Sequence, residues 1–460
     1  MLWENPMKKS TMLGYGAASI ADSGPYNFVT VFFILFLTTV AGLSPERAGT
    51  ISSLVILLDG FFGAIIGYIS DNIRSKYGRR RPFLLAAMLP LGIGLIFMFS
   101  NPDITIAQKT AVYAIAGVMF WVGFGMYYTP YTALGAEITG DYDERSTLRT
   151  YARFFALGGN ALGIICPLII VSHLQQAGLS EGAGWTIMAA IMAVVSVGGI
   201  AVTWITTRGH EKVLDDAEET TGTAAGTGIA GLFRDYLKVA KLKPFKYIAF
   251  IQILFILANT FYNSTLVFFA RYELGVADDI TSVIFLIAII SNLAFTPVAG
   301  VLSVRFDKKN VLAFAMLISG CAGILFFVVG IHSFAGLAAY AVLFNIAYST
   351  FWQLCNALVY DMSEVAEFKM GRRIEGSITS VTGLAMTIGT SIATQLVGWF
   401  LKFSFIKGAF LLLPGIVLIA GGILQLIYPM NKRTFHKLEQ ALADKKAGRQ
   451  PDTTGLERIL

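Results

Sequence analysis

The sequence predicts an all-α membrane protein: twelve transmembrane helices in two six-helix, pseudo-symmetric bundles. Three observations carry this. Of 460 residues, 55% are hydrophobic and only 14% charged, against about 25% charged in a soluble domain. Apolar stretches long enough to cross a bilayer, roughly 20 residues each, recur twelve times. Lysine and arginine gather in alternate connections.

The candidate spans lie at about 13–42, 48–71, 83–100, 110–139, 153–174, 184–207, 247–270, 280–304, 311–332, 335–361, 375–401 and 407–429. Several exceed 25 residues, which implies tilt or kinks. They lack the alternation of barrel strands and are too long for them. Mean hydropathy is +0.66. The polar opening, with Lys8 and Lys9, leads into a stretch too long for a signal-peptide core and without an evident cleavage site, so the first span is expected to stay.

Orientation follows from charge. Of the 35 lysines and arginines, 30 fall on the N-terminus, the tail and every second loop between them; Arg47, Lys109, Arg271, Lys402 and Lys407 are the other 5. Both termini are therefore expected in the cytoplasm and the protein in the inner membrane. Nucleic-acid binding would not sort charge by alternate loops, so no nucleic-acid partner is expected.

The longest break, 208–246, holds an acidic run and a Thr/Gly/Ala stretch typical of a flexible linker. Its end, Leu232 to Lys246, reads as a basic amphipathic surface helix. The expected organisation is an N-terminal bundle (1–207), a linker (208–246), a C-terminal bundle (247–430) and a tail (431–460). The halves echo each other: Gly67-Tyr-Ile-Ser70 runs into Asp71 and Arg74, and Gly300-Val-Leu-Ser303 runs into Arg305 and Lys308. Parallel repeats of six spans are the mark of the major facilitator architecture.

Cys166, Cys321 and Cys355 all sit in apolar runs, and there are 4 histidines. Neither a disulfide framework nor a cysteine-rich metal site is expected. No nucleophile constellation points to an enzyme. No Gly-rich phosphate loop ending in Lys-Ser/Thr points to ATP-driven transport. No cofactor is expected.

Ionisable groups at bilayer depth are costly and usually functional. Asp22 lies in Ala21-Asp-Ser-Gly24-Pro25-Tyr26-Asn27, where Gly24 and Pro25 are expected to break the helix and free carbonyls. It is either a substrate or proton group or a solvated carboxylate at a mouth. Asp59 lies mid-span with no sequence neighbour to pair with. It is either a proton carrier or a hydrogen-bonded structural group. Arg153, at the start of the fifth span, is either an anchor for an anionic solute or a partner of Glu137 or Asp141. Asn259 and Asn263 flank Tyr262, while Asn345, Tyr348, Trp352 and Asn356 follow helical spacing with Gln353 adjacent. With Tyr127, Tyr128 and Tyr131, these line an aromatic cavity or glue helices together. Asp71, Arg74, Arg79, Arg80, Arg81, Glu137, Asp141, Glu144, Arg145, Arg305, Asp361, Glu364, Glu367, Arg372, Arg373 and Glu375 gather near helix ends and read as a gate network.

Three segments carry a family resemblance: Gly67-Tyr-Ile-Ser-Asp71-Asn-Ile-Arg74-Ser-Lys-Tyr-Gly78-Arg-Arg-Arg81-Pro82; Pro130-Tyr131 with Asp141-Tyr-Asp-Glu144-Arg145 and Tyr151-Ala-Arg153; and Asp361-Met-Ser-Glu364 through Arg372-Arg373-Ile-Glu375-Gly376. They resemble the glycoside–pentoside–hexuronide cation symporters, whose type member is melibiose permease. The Gly-Arg-Arg-Arg-Pro run also resembles plant sucrose transporters. The resemblance implies a major facilitator fold and symport of a small organic solute by alternating access. It also implies departures. Of the family's sodium site only Asp59 survives; Phe62, Gly63 and Gly125 stand at the other ligand positions. Tyr128 and Thr132 replace the sugar-binding Asp and Trp, Asp22-Ser23 the Lys-Asp pair, and Thr387 the eleventh-helix Lys, while Arg153 is kept.

The expected substrate set is Asp22, Tyr26, Asn27, Tyr128, Tyr131, Arg153, Asn259, Tyr262, Asn263, Tyr348, Trp352, Asn356 and Thr387, with Asp59 and Asp22 coupling the ion. The expected co-transported ion is H+ rather than Na+. The expected partners are a small molecule, such as a glycoside or uronide, and the lipid bilayer; the expected working unit is a monomer. Sodium coupling, or a lysolipid-type transporter on the same fold, is the alternative reading.

Overall fold

A computed structural model describes residues 7–73, 75, 77–139, 142–209, 236–371, 375–447, 449–457 and 459. It is built of helices: α1 (Lys9–Ala17), α2 (Ser19–Thr39), α3 (Pro45–Asn72), α4 (Arg81–Met98), α5 (Ile106–Glu137), α6 (Tyr142–Ile164), α7 (Cys166–Gln176) and α8 (Glu181–Thr206). Then follow α9 (Lys243–Phe268), α10 (Asp278–Phe306), α11 (Lys308–Val329), α12 (Phe334–Met370), α13 (Glu375–Lys402), α14 (Leu413–Ile427) and α15 (Lys432–Lys446). Among the described residues 11 helices are long and apolar enough to span a bilayer, or 12 when α6 and α7 count as one span bent by 40°. Pro167, in the first turn of α7, explains that bend, because it lacks the amide that would continue α6.

Two span boundaries differ from the expectation. Arg153 does not begin its span: α6 starts at Tyr142, so Arg153 sits about three turns inside it. The early turns of α6 carry charge, which an apolar window excludes but a helix tolerates. Likewise α12 continues nine residues past Asp361 to Met370, taking Glu364 and Glu367 into helix. Gly371, with φ +69°, ends it in the left-handed conformation that glycine adopts most readily.

The first span also breaks elsewhere than expected. Pro25 lies within a continuous α2, and the interruption falls earlier, at Ala18. Side chains from neighbouring helices take over the backbone bonds there. Thr203 Oγ1 accepts from Ala18 N–H at 3.1 Å and donates to Gly14 C=O at 2.7 Å; Tyr127 O–H donates to Ala18 C=O at 2.5 Å. A broken membrane helix persists where such partners replace the missing bonds.

Two compact units result. The first comprises Met1–Gly222, Ala277–Phe285 and Thr394–Ser404; the second comprises Thr223–Val276, Leu286–Ala393 and Phe405–Leu460. Two short segments, from α10 and α13, group with the first unit. The first core is aromatic, with Phe28, Phe32, Phe36, Phe99 and Trp185 all fully buried. The second stacks Tyr262 on Phe344 with centroids 3.9 Å apart and Phe269 on Phe410 at 4.7 Å. The tail is not loose: α15 buries Leu438, Ala441 and Leu442, and Lys446 pairs with Glu367 at 2.7 Å. Of the expected amphipathic helix, 236–240 is helical and Val239 is buried; Leu232 to Asp235 lie outside the described residues.

The two echoing segments share one local contact. Ser70 Oγ donates to Gly67 C=O at 3.0 Å, and Ser303 Oγ to Gly300 C=O at 2.7 Å. Gly67 faces Thr129 of α5, and Gly300 faces Gln353 of α12. Small residues at these places let the helices cross closely.

Candidate solute-binding site

The first unit gathers polar groups where α2, α5 and α6 meet. The crossing of α2 with α6 is tight because it is built from glycines. A Cβ on Gly163 would lie 2.2 Å from the Gly24 carbonyl oxygen, and one on Gly159 would lie 2.7 Å from that of Ile20. Ser23 O–H, beside it, donates to Ala156 C=O at 2.5 Å. This contact carries Asp22, Tyr26 and Asn27 on α2 alongside Arg153 and Asn160 on α6.

Asp22 is half-buried, and its charge acts on Tyr15, Tyr127, Tyr128 and Tyr131. The Arg153 guanidinium acts on Asp22 in turn, yet the two form no ion pair, and neither has a hydrogen-bond partner among the described residues. An anion and a cation thus share this region with no ion pair between them.

Rings flank these charges. Tyr26 is 37% and Tyr128 41% exposed. Behind them, Trp121 meets Tyr26 edge-on at 5.7 Å, and Phe124 stacks on Tyr128 at 5.7 Å with an 11° interplanar angle. Tyr131 lies elsewhere than expected. It is 4% exposed, stacks on Tyr15 at 4.6 Å and shares a 2.7 Å hydrogen bond with Ser19. It braces the interrupted helix instead of facing a cavity. Arg153 does not pair with Glu137, which Arg79 and Arg80 hold; Asp141, the other expected partner, lies outside the described residues.

Asp59 on α3 is half-buried, has no hydrogen-bond partner among the described residues, and acts electrostatically on Tyr128. One turn on, α3 crosses α5 at glycines: a Cβ on Gly125 would lie 3.7 Å from Gly63 N and 3.4 Å from Ile66 Cδ1. Thr129 is the nearest side chain to Gly63, with Oγ1 3.8 Å from a Cβ built there.

In the second unit, Asn263 Nδ2–H donates to the backbone and side-chain oxygens of Asn259 at 2.9 and 2.8 Å. Trp352 is 40% exposed, and Tyr348 and Thr387 are half-buried. Tyr262 departs from its expected role. It is 3% exposed and packed among Phe344, Phe410 and Tyr340, and its hydroxyl has no hydrogen-bond partner among the described residues. Asn345 is 5% exposed and donates to Ala341 C=O.

The charged network sits at the end of each unit that carries the basic loops. Arg79 and Arg80 both bond Glu137, at 2.9 and 3.1 Å, and Arg80 also donates to Ser70 at 2.7 Å. Arg81, 2% exposed, donates to Trp204 C=O at 2.7 Å near the C-terminus of α8 and lies over that indole at 4.9 Å. The second unit repeats the pairing with Lys308 on Asp361 at 2.9 Å. Arg305 differs from the expectation: it is exposed over the Phe306 ring at 5.6 Å, with no carboxylate partner among the described residues. Glu364 is half-buried on α12. Arg74, Asp141, Arg372 and Arg373, and the side chains of Asp71, Arg145, Asn356 and Glu375, lie outside the described residues.

Sequence reasoning missed Asn160, Thr129 and Trp121. Asn160 had a signal: it lies seven residues after Arg153, two helical turns on the same face. Trp121 had none, since a tryptophan in an apolar span is ordinary.

The chain matches known proteins along most of its length. The family described as MFS/sugar transport protein matches residues 14–409. The chain is 27% identical to the uncharacterized symporter YnaJ of Bacillus subtilis, covering 88% of this chain and 86% of that one. It is 23% identical to the glucuronide carrier protein homolog of Escherichia coli, covering 96% of each. A crystal structure of a D-xylose-proton symporter shares the fold, with a TM-score of 0.64 at 15% identity over 91% of this chain and 97% of that one.

Proposed function

Because the chain belongs to the MFS/sugar transport protein family, a multi-pass membrane transporter and not an enzyme, we propose that it is a proton-coupled symporter of a glycoside, uronide or related hydroxylated solute. The observation that carries the reading is the open pairing of Asp22 with Arg153, flanked by the exposed rings of Tyr26 and Tyr128. A carboxylate accepts hydroxyl hydrogens, a guanidinium takes a carboxylate or hydroxyl oxygens, and ring faces take the apolar face of a sugar. The glucuronide carrier homolog, aligned over 96% of both chains, supports a sugar-like solute.

Asp59 carries the proton in this reading. A lone carboxylate without donors takes up a proton more readily than a sodium ion, which wants several oxygens. The Gly63–Gly125 crossing offers no side-chain oxygen from either residue. Tyr128 lies within electrostatic reach of both Asp59 and Asp22. Alternating access then exposes the site to either side of the membrane in turn, the network around Glu137 and Asp361 bracing the cytoplasmic ends. The protein is assigned to the cytoplasmic membrane with both termini inside, on the 30-to-5 partition of its basic residues.

The test is uptake of radiolabelled methyl β-D-glucuronide and methyl β-D-glucoside into proteoliposomes. A pH gradient, inside alkaline, should drive accumulation of at least one of them, and a sodium gradient at symmetric pH should not. Accumulation on sodium alone would replace the proton. Failure of both sugars alongside uptake of a lysolipid would replace the solute class.

A further inference from the structure

Two amides at the α2–α6 crossing are oriented by their surroundings. Asn27 Nδ2 lies 2.7 Å from Ser23 C=O, the carbonyl one turn earlier in α2, and 2.9 Å from a side-chain atom of Asn160. A carbonyl only accepts, so the Asn27 atom beside it is the NH2 group. The Asn160 atom beside that NH2 must then be the acceptor, Oδ1. The orientation of both amides follows, without the ambiguity that usually attends asparagine.

That leaves one atom on each residue without a protein partner among the described residues: Asn27 Oδ1, an acceptor, and Asn160 Nδ2, a donor. Both residues are half-exposed, and neither atom is among the buried unpaired ones. The pair belongs to the same helix contact as Asp22 and Arg153; Asn27 is five residues along α2 from Asp22, and Asn160 seven along α6 from Arg153. The glycine crossing holds the two helices at fixed spacing.

We propose that the Asn27–Asn160 pair reads a neutral hydroxyl of the solute, with Asn160 as a specificity-determining residue. A sugar hydroxyl donates one hydrogen bond and accepts others, so it satisfies Asn27 Oδ1 and Asn160 Nδ2–H together. A hydroxyl-lacking analogue leaves both amide ends unpaired, which is where polar sites gain their discrimination. The proposal rests on the reading of this crossing as the solute site.

A plain helix-to-helix clamp is the competing role, and substitution separates the two. Asn160→Asp keeps an oxygen to accept from Asn27 Nδ2–H, so the clamp survives, but the ionised carboxylate offers no N–H. Asn160→Ala removes both. Binding of methyl β-D-glucoside and its 2-, 3-, 4- and 6-deoxy analogues is measured on purified wild type and both variants by isothermal titration. Melting temperature of the unliganded proteins is recorded alongside.

Wild type should bind one deoxy analogue about tenfold more weakly than the parent, the value of one hydrogen bond to a fixed amide. Both variants should lose about tenfold for the parent and show no further loss for that one analogue. Two results overturn the proposal while leaving the solute class intact: Asp and Ala variants that bind the parent like wild type, or variants that weaken parent and every deoxy analogue equally. Wild type that binds neither methyl β-D-glucoside nor methyl β-D-glucuronide overturns the sugar reading itself, and the proposal with it.

Discussion

Replacing Gly163 with alanine tests whether the α2–α6 crossing sets the site. A Cβ there would lie 2.2 Å from the Gly24 carbonyl oxygen and 3.0 Å from its carbon. An ordinary C···O contact is about 3.3 Å or more, so the helices must part by roughly 1 Å. The obstacle is backbone on both sides and cannot rotate away, unlike a flexible side chain. Overpacking of this kind costs about 1–3 kcal/mol, and a rigid obstacle places Gly163→Ala toward the upper end. The Asn27–Asn160 bond, now 2.9 Å, would stretch with the same motion. Gly158, five residues earlier on the same helix, is the control. It is exposed, and a Cβ placed there would meet nothing within 4 Å. Alanine at that position gains up to about 1 kcal/mol of helix propensity. Thermal unfolding of the two variants in detergent should therefore move in opposite directions, and only Gly163→Ala should weaken sugar binding. Equal melting temperatures for the pair would refute the claim that the glycine crossing is a hard contact.

Three further outcomes are expected. Asp59→Asn should abolish accumulation against a gradient in proteoliposomes yet retain solute exchange, since a neutral amide imitates the protonated acid; unchanged accumulation would remove Asp59 from coupling. Glu137→Gln should lower stability by about 3 kcal/mol because it strips two partly buried guanidiniums of their shared carboxylate, whereas Glu46→Gln, breaking the exposed pair with Lys402, should cost about 0–1 kcal/mol; similar melting temperatures for the two variants would contradict this. Tyr262→Phe should leave uptake unchanged and stability equal or about 1 kcal/mol higher, because the lost hydroxyl is buried without a partner; a marked loss of uptake would return Tyr262 to the solute site.

The fold was legible because a membrane imposes simple rules. Every span must be long and apolar, and its basic ends must alternate. The repeat was equally open to reading, since Gly67 to Ser70 and Gly300 to Ser303 do the same local work in their two units. Breaks and boundaries were harder. Pro25 looked like the interruption of the first span, but a proline removes one bond and one helix can absorb that. The interruption at Ala18 depends on Thr203 and Tyr127, 185 and 109 residues away in sequence. Local composition carries no trace of such partners.

The site divides along the same line. Asp22, Asp59 and Arg153 were visible because charge inside an apolar span needs a reason. Tyrosines were not sortable, because an aromatic ring suits a packed core and a sugar face alike. Tyr128 and Tyr131 are three residues apart on α5, yet one is 41% exposed and the other 4%. What separates them is the neighbour each meets: Tyr131 lies against Tyr15 and Ser19 at the interrupted helix, while Tyr128 is backed by Phe124 on one side only. The glycines reverse the usual order of inference. Gly63 and Gly125 read in the sequence as losses from a cation site, and in space they meet as a close helix contact. The two glycines put α3 and α5 in contact one turn from Asp59, and neither adds a side-chain oxygen beside that carboxylate.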